Sequence, residues 1–269
     1  MDILTRIVNR KKEEIEEARR RKPLERLRAE AARPWDGRSF YDALKTPGPY
    51  GANIIAEIKR ASPSKGPLRI DLDPVDLARE YAAGGAAALS ILTDRDFFRG
   101  GPEDLVAARE AVGLPVLRKD FLISDYQIYE SRAMGADAVL LISRILSREQ
   151  LDSLLALSHN LGMDALVEIH TDQDLETARM SGARLIGINN RNLATFDTNI
   201  GNAMTMAQRL SSDQIPVAAS GINSLKDVQA NLDNGIFNFL IGESLVRSED
   251  PARKLASLLP NRPSEGKRS

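Results

Sequence analysis

The chain has 269 residues, a formal net charge of -1 at pH 7 and no cysteine. Its length suits one large α/β domain or two smaller ones. The lack of cysteine excludes disulfides and thiolate metal sites, and the near-neutral charge gives no general reason to expect a nucleic acid or an anionic membrane as partner. No apolar run reaches the roughly 20 residues that a bilayer crossing requires. Because the N-terminus also lacks the apolar core of a secretory signal, we expect the protein to be cytoplasmic.

The N-terminal part of the chain predicts two helices. The apolar residues of the first recur at helical spacing, namely Ile3, Leu4, Ile7 and Val8. Pro23 is expected to end this helix, and a second helix is expected over residues 24–32. Glutamates interleave the basic residues of segment 10–22, which favours a solvated helix face over a nucleic-acid-binding arm. Residues 33–50 are rich in proline and glycine and predict an irregular connection.

From residue 53 onward, short apolar runs alternate with amphipathic segments of helical period. The expected strands are 53–59, 87–92, 115–120, 138–142, 165–169, 185–189, 216–220 and 237–241. The expected helices are 74–83, 102–112, 124–134, 147–161, 172–180, 200–210, 224–234 and 251–259. Eight strand–helix units in this length predict an α/β fold, a (β/α)8 TIM barrel with an N-terminal helical extension.

The alternative is a doubly wound open sheet, although eight strands would be many for it and no G-x-G-x-x-G motif follows the first strand. We therefore expect a single domain over residues 1–269. Within it, 1–50 would be the helical extension, 51–259 the barrel, and 260–269 a flexible polar tail.

The first expected strand ends in two opposite charges, Glu57 and Lys59, followed by a Ser-Pro-Ser-Lys-Gly loop. Side chains alternate along a strand, so these two point the same way. Burying charge is costly unless the groups are paired or used, which leaves both a structural ion pair and acid–base chemistry open.

Other strands bring further polar groups to the same mouth, because catalytic residues of barrels gather at the carboxyl ends of the strands. These groups are Lys119, Glu168, Asn189 and Arg191. Each one alone has an ordinary structural explanation, such as a helix cap, an ion pair or a turn. Together they exceed what a packed core needs and indicate function.

The last two strands end in matching glycine-containing turns, with Ser220-Gly221 after one and Gly242-Glu243 after the other. In barrels these positions commonly bind a phosphate through backbone N–H groups, and glycine lets the backbone approach the anion closely. We expect a phosphate site there, with Lys59 as a counter-charge.

These motifs closely resemble the indole-3-glycerol-phosphate synthase family of tryptophan biosynthesis, over essentially the whole chain. The resemblance is carried by Glu57-x-Lys59-Arg60-x-Ser62-Pro63-Ser64-x-Gly66, Lys119-Asp120-Phe121, Glu168-Ile169-His170, Gly187-Ile188-Asn189-Asn190-Arg191-Asn192-Leu193 and Ser220-Gly221-Ile222. A related phosphate-binding barrel would share the last motif but not the first.

The resemblance implies a carboxy-lyase that needs neither a metal nor an organic cofactor. It converts 1-(2-carboxyphenylamino)-1-deoxyribulose 5-phosphate to indole-3-glycerol phosphate with loss of carbon dioxide and water. By resemblance, Lys119 is the general acid and Glu168 the base. Glu57 assists, Lys59 interacts with the substrate anions, and Asn189 fixes the substrate hydroxyls or the reacting centre.

The resemblance also implies substrate-binding residues. Arg191 and Ser62 suit carboxylate recognition, and Phe98 and Phe121 would flank the aromatic ring. Leu140 and Ile142 share one face of the fourth strand and complete the set, although barrel core is the more ordinary place for such residues. The expected partner is thus a small anionic aromatic sugar phosphate. Neither a nucleic acid nor a membrane is expected, and contact with other tryptophan-pathway enzymes is left open.

One position departs from the family pattern, which usually has glutamate just before the Ser-Gly of the seventh strand. This chain has Ala219 there. We expect activity to be retained because the other catalytic residues are in place. Two alternatives stay open: a catalytically weakened barrel that binds phosphate ligands or a partner protein, and a related sugar-phosphate barrel enzyme such as an isomerase.

Overall fold

The computed structural model describes residues 3–191 and 197–262. Its strands are β1 (Asn53–Ile58), β2 (Ala61–Ser62), β3 (Gly66–Pro67), β4 (Ala88–Leu92), β5 (Val116–Lys119), β6 (Ala138–Ile142), β7 (Asp164–Ile169), β8 (Leu185–Asn189), β9 (Ile215–Ala219) and β10 (Asn238–Ile241). Its α-helices are α1 (Ile3–Arg21), α2 (Leu24–Ala31), α3 (Phe40–Leu44), α4 (Pro74–Gly84), α5 (Pro102–Ala111), α6 (Asp125–Ala133), α7 (Arg148–Asn160), α8 (Asp172–Met180), α9 (Gly201–Ala207), α10 (Leu225–Leu232), α11 (Glu243–Val246) and α12 (Pro251–Ala256).

Within the described residues, eight parallel strands close into a barrel in the order β1-β10-β9-β8-β7-β6-β5-β4. The last strand pairs with the first in parallel, with Asn53 opposite Asn238. The predicted (β/α)8 barrel is confirmed, and the open-sheet alternative is wrong because an open sheet has no pairing between its first and last strands.

The strand alternation divides the apolar residues into two layers. Residues of one parity, such as Leu89, Val139 and Ile186, pack outward against the surrounding helices. Residues of the other parity, such as Leu117 and Leu166, fill the inside of the barrel. Because both faces are covered, all six residues of β1 and all five of β6 are buried.

Different helices lie at the two ends of the barrel. Helix α3 places Phe40 and Leu44 in the interior cluster, and the N–H of Tyr41 donates to Asp164 at the start of β7, so α3 lies at the amino-terminal end. At the opposite end, Ile7 of α1 joins the same cluster. The barrel interior is thus covered from below by α3 and approached from above by α1.

Three expectations for the N-terminal region and the loops need correction. Residues 33–50 are not wholly irregular, because Ser39 accepts a hydrogen bond from the N–H of Asp42 and caps the short helix α3. The loop after β1 folds back as the antiparallel hairpin β2–β3. Lys11 does not belong to a solvated face, since only 2% of it is exposed.

Element ends also differ slightly from the prediction. The first, third and seventh barrel strands each stop one residue earlier than expected, which leaves Lys59, Asp120 and Ser220 just beyond the ladder. Asn261 of the predicted tail donates its N–H to the carbonyl of Tyr50, while residues 263–269 lie outside the described part of the chain. In the part that the structure describes, the helices are too short or too polar to span a bilayer.

Asp137 connects three elements at the amino-terminal end of the barrel. Its carboxylate accepts the N–H of Val116 at 2.9 Å and the N–H of Arg38 at 2.9 Å, and it lies 3.2 Å from Arg109 Nη2. Asp137 is 1% exposed. Replacing it with alanine leaves two N–H groups and a guanidinium without this acceptor.

We expect Asp137→Ala to lower the free energy of unfolding by about 3 kcal/mol, because truncating one member of a buried charged network leaves the other uncompensated. Urea unfolding followed by circular dichroism measures it. Asp36→Ala is the matched control, because Asp36 pairs with the same Arg109 from an exposed position. It should leave the urea midpoint unchanged, and equal losses in both variants would contradict the assignment.

Candidate active site

The inward-facing residues at the carboxyl ends of the strands line a cavity of about 610 Å³. Glu57, Lys119, Glu168 and Asn189 have the same parity as the interior apolar residues two positions earlier on their strands, namely Ile55, Leu117, Leu166 and Gly187. Each therefore occupies the top of the barrel interior. The structure brings together all five residues predicted to be catalytic, since Lys59 lines the same cavity.

A chain of alternating charges runs across the mouth. Lys59 Nζ lies 2.6 Å from Glu57 Oε1, and Lys119 Nζ lies 3.8 Å from Glu57 Oε2. On its other side, Lys119 Nζ lies 3.9 Å from Glu168 Oε2. Lys119 thus lies between two carboxylates and within ion-pairing distance of both. The ion pair of Glu57 and Lys59 lies in the cavity. A structural ion pair and acid–base chemistry are therefore compatible interpretations of the first-strand motif.

These contacts set the protonation states of the central groups. Burial by itself would raise the pKa of Glu57, but the Lys59 and Lys119 ammonium groups outweigh it and hold that pKa below its ordinary value. Burial would lower the pKa of Lys119, yet Glu168 and Glu57 raise it above its ordinary value. The site therefore holds the protonated Lys119 amine beside the ionised Glu57 carboxylate at neutral pH.

Asn189 and Arg191 extend the site from β8. Asn189 Nδ2 donates to Glu168 Oε1 at 3.3 Å, while Asn189 Oδ1 accepts the N–H of Arg191 at 3.0 Å. The guanidinium of Arg191 donates to Ser64 Oγ and lies 3.4 Å from Glu243 Oε2. Arg191 therefore links the β2–β3 hairpin to the loop after β10.

One wall of the cavity is aromatic. Phe98 and Phe121 both line it, and their ring centroids are 6.0 Å apart with planes tilted by 40°. This distance means that the two rings contact each other, so a third ring would pack across the pair rather than between its members. The role of Leu140 and Ile142 as substrate contacts stays a prediction. They belong to the buried interior cluster, and the described lining of the cavity does not include them.

The predicted phosphate residues lie together at the other side of the cavity. Ser220 and Gly221 both have positive φ, of 68° and 82°. A Cβ on Gly221 would come 2.5 Å from Thr198 Cγ2, so this turn requires glycine for space as well as for conformation. Glu243 begins α11, where the first N–H groups of a helix have no intrahelical acceptor.

Several lining residues were not among the sequence candidates. Ile3, Leu4 and Ile7 show that α1 forms part of the wall, and Ser244 Oγ is a buried hydroxyl without a hydrogen-bond partner among the described residues. The sequence showed the apolar stripe of the first helix, but not that this stripe would line the cavity. Among residues 3–191 and 197–262, no group of three or more histidine, aspartate or glutamate side chains is arranged to hold a metal ion.

A closed (β/α)8 barrel with an acid–base cluster at the carboxyl ends of its strands has the architecture of a barrel enzyme. The fold recurs in the 3-hexulose-6-phosphate synthase of Salmonella typhimurium, with a TM-score of 0.61 at 15% identity over 77% of this chain and 98% of that one. At this identity the likeness concerns the fold alone. Fold and site together define the class as a barrel enzyme of general acid–base chemistry.

The particular family follows from closer relatives. The sequence profile described as indole-3-glycerol phosphate synthase matches residues 4–258. The indole-3-glycerol phosphate synthase of Desulfosudis oleivorans is 54% identical over 259 residues, which cover 96% of this chain and 98% of the relative. That of Syntrophobacter fumaroxidans is 49% identical over 257 residues, with 96% and 97% covered. The chain belongs to the indole-3-glycerol phosphate synthase family.

Gly242 gives a test of the cluster. A Cβ at this position would lie 2.5 Å from Glu57 Oε1 and 3.0 Å from Glu57 Cβ, so Gly242→Ala must displace the carboxylate that joins the two lysines. We expect turnover to fall about 100-fold, because small misplacements of catalytic groups have effects of this size. Steady-state kinetics measures the loss. Gly187→Ala is the control, since its Cβ would meet Leu166 at 3.4 Å, and an equal loss there would contradict the argument.

The lowered pKa of Glu57 gives a test by pH. A carboxyl group whose pKa is lower in the folded state stabilises the fold above its ordinary pKa of 4.5, and this contribution is lost as the pH falls through the folded value. Wild type should therefore exceed Glu57→Gln in free energy of unfolding at pH 7. The difference should shrink as the pH falls below 4.5. Urea unfolding at pH 7, 5, 4 and 3 measures it, and a difference that does not vary with pH would contradict the shift.

Proposed function

We propose that this chain closes the indole ring, converting 1-(2-carboxyphenylamino)-1-deoxyribulose 5-phosphate to indole-3-glycerol phosphate with the cavity residues described above. Membership in the family supports the reaction. The observation that supports these residue roles best is the position of Lys119, within 4 Å of both Glu57 and Glu168. An amine held protonated between two carboxylates can give a proton while a neighbouring base takes one.

Lys119 acts first, as the general acid. The aromatic carbon that carries the carboxylate attacks the ribulose carbonyl carbon, and a carbon–carbon bond forms. The electron pair of the carbonyl moves to its oxygen, which takes a proton from the Lys119 ammonium. The carbon–carboxylate bond then breaks, carbon dioxide leaves, and its electron pair restores the aromatic ring.

Dehydration follows at the new hydroxyl. The hydroxyl leaves as water after receiving a proton, and Glu168 takes a proton from the substrate as the double bond of the indole forms. Glu57 assists by holding Lys59 and Lys119 in place. Asn189, which donates to Glu168 Oε1, fixes the orientation of that carboxylate and contacts the substrate hydroxyls. The products are indole-3-glycerol phosphate, carbon dioxide and water.

Substrate binding divides between the two sides of the cavity. The aromatic ring packs on Phe98 and Phe121, and Arg191 and Ser62 bind the ring carboxylate. The phosphate lies against the turns at Ser220–Gly221 and Gly242–Glu243, which follow the carboxyl ends of the paired strands β9 and β10. Lys59 supplies a positive charge between the two regions. Leu140 and Ile142 belong to the interior apolar cluster and complete the proposed binding region from β6.

Ala219 is compatible with activity. It lies opposite Asn189 in the β8–β9 ladder and faces the cavity. The carboxylates that hold Lys119 protonated come from β1 and β7, so a further carboxylate at position 219 is not needed for that purpose. The same argument weighs against the weakened-barrel alternative, and the family relationship weighs against a different sugar-phosphate enzyme.

We also propose that the protein is cytoplasmic and that its partner is a small anionic aromatic sugar phosphate. Both are supported by a role in amino-acid biosynthesis, which draws on small charged intermediates.

The first experiment follows the fluorescence of indole-3-glycerol phosphate formed from the carboxyphenylamino substrate by wild type, Lys119→Ala and Ala219→Glu. Wild type should turn over. Lys119→Ala should lose at least about 100-fold in turnover, the usual contribution of a general acid. Lys45→Ala is the matched control, because Lys45 pairs with Asp42 at the surface and should retain full activity.

Three outcomes would contradict the proposal in distinguishable ways. Lys119→Ala with wild-type turnover would remove Lys119 from the mechanism. An inactive wild type that gains activity with Ala219→Glu would show a catalytically weakened chain. No turnover in any of these variants would contradict the synthase function itself.

A further inference from the structure

Lys11 is a buried cation on the helix that precedes the barrel. Ile7, Lys11 and Ile15 are the buried residues of α1 and recur every four positions, so Lys11 lies on the helix face that packs on the barrel. Its Nζ lies 2.8 Å from Asp94 Oδ2, 3.0 Å from Asp120 Oδ1 and 2.8 Å from Glu14 Oε2. One ammonium thus joins α1 to the loops that follow β4 and β5.

The same two aspartates hold the backbone of the aromatic wall. Asp94 Oδ1 accepts the N–H groups of Phe97 at 2.7 Å and Phe98 at 3.1 Å. Asp120 Oδ1 accepts the N–H of Phe121 at 2.8 Å. Each carboxylate therefore forms an ion pair with Lys11 and also holds the backbone N–H of one member of the Phe98–Phe121 pair.

Helix α1 also contributes to the cavity directly. Ile7 and Leu4 lie one and two turns before Lys11, and both line the cavity together with Ile3. The position of these side chains over the mouth depends on where α1 is fixed, and Lys11 is the buried ionic contact of α1 with the barrel. The parts of the cavity wall that come from α1 and from the loops after β4 and β5 are therefore connected through Lys11 Nζ.

The charges around Lys11, Asp94 and Asp120, together called the Lys11 junction, favour a fixed contact between α1 and the two loops. Burial raises the pKa of Asp120, but Lys11 and Arg118 outweigh burial and lower it to about 2, assisted by hydrogen bonds from Thr93 and from the N–H of Phe121. Arg118 also pairs with Glu130 at 2.8 Å. Asp120 therefore stays ionised and paired with the Lys11 ammonium, which lies 3.0 Å away.

We propose that Lys11 is a positioning residue for substrate recognition, setting the distance and orientation of the Phe98 and Phe121 rings and of the α1 wall relative to the acid–base cluster. The proposal rests on the placement of the substrate ring against those two phenylalanines. It assigns no chemical step to Lys11, whose nitrogen pairs with three carboxylates and which is not among the described residues that line the cavity.

The test compares Lys11→Met with Arg10→Met. Arg10 is the adjacent residue on the same helix and binds Asp96 of the same loop, 2.6 Å away, but from an exposed position. We expect Lys11→Met to raise KM for the substrate at least tenfold while kcat changes less than threefold, and Arg10→Met to leave both unchanged. A merely structural role would lower kcat through loss of folded enzyme and leave KM as it was.

A second readout separates the two halves of the cavity. Calorimetric titration with anthranilate, an aromatic carboxylate, should show binding weakened about tenfold by Lys11→Met. Titration with inorganic phosphate should change less than twofold, because the turns at Ser220 and Gly242 do not contact this junction. Equal weakening of both ligands, or an unchanged KM, would overturn the proposal.

Lys11→Met leaves Asp94 and Asp120 without their shared cation, and this variant alone could fail to fold. The double variant Lys11→Met with Asp94→Asn removes one of the two charges, and the amide oxygen still accepts the Phe97 and Phe98 N–H groups. We expect the double variant to fold and to keep the raised KM. A double variant with the KM of wild type would overturn the proposal, whereas an inactive wild type would contradict the proposed function rather than the role of Lys11.

Discussion

The placement of the partly buried Lys119 ammonium between the carboxylates of Glu57 and Glu168 is the interaction on which the site depends. Each of the three groups would be costly to bury alone, and each is compensated by its neighbours. The barrel makes this possible because strand alternation stacks these side chains on top of the apolar interior. The same contacts that stabilise the charges also determine which group can give a proton and which can take one.

A second charged junction, around Lys11, organises the surroundings of the first. The acid–base cluster sits on the strands, whereas the wall that faces it comes from α1 and from the loops after β4 and β5. Loops are the more mobile parts of a fold, so a site that recognises a flat ring needs them fixed. Asp94 and Asp120 do this locally, and Lys11 connects both to the helix.

Much of the fold and the site could be predicted from the sequence, for identifiable reasons. The alternation of apolar runs and helical periods indicated the barrel, and the polar residues that end those runs, Lys119 and Glu168 among them, indicated the mouth. Lys11 was missed because two of its partners, Asp94 and Asp120, lie over 80 residues away along the chain. Helix α3 was missed because five residues carry too little periodicity. For Leu140 and Ile142, alternation defines the inward face of the strand but not the depth along the barrel axis, so the pattern alone does not place them in the cavity.

The closure of the amino-terminal end of the barrel has a kinetic meaning. Phe40 and Leu44 of α3 are fully buried in the interior cluster, so the described residues leave the mouth as the route to the cavity. Substrate must arrive, and indole-3-glycerol phosphate must depart, through the same opening. A product molecule still held there physically blocks the next substrate, which makes the product a competitive inhibitor of its own formation.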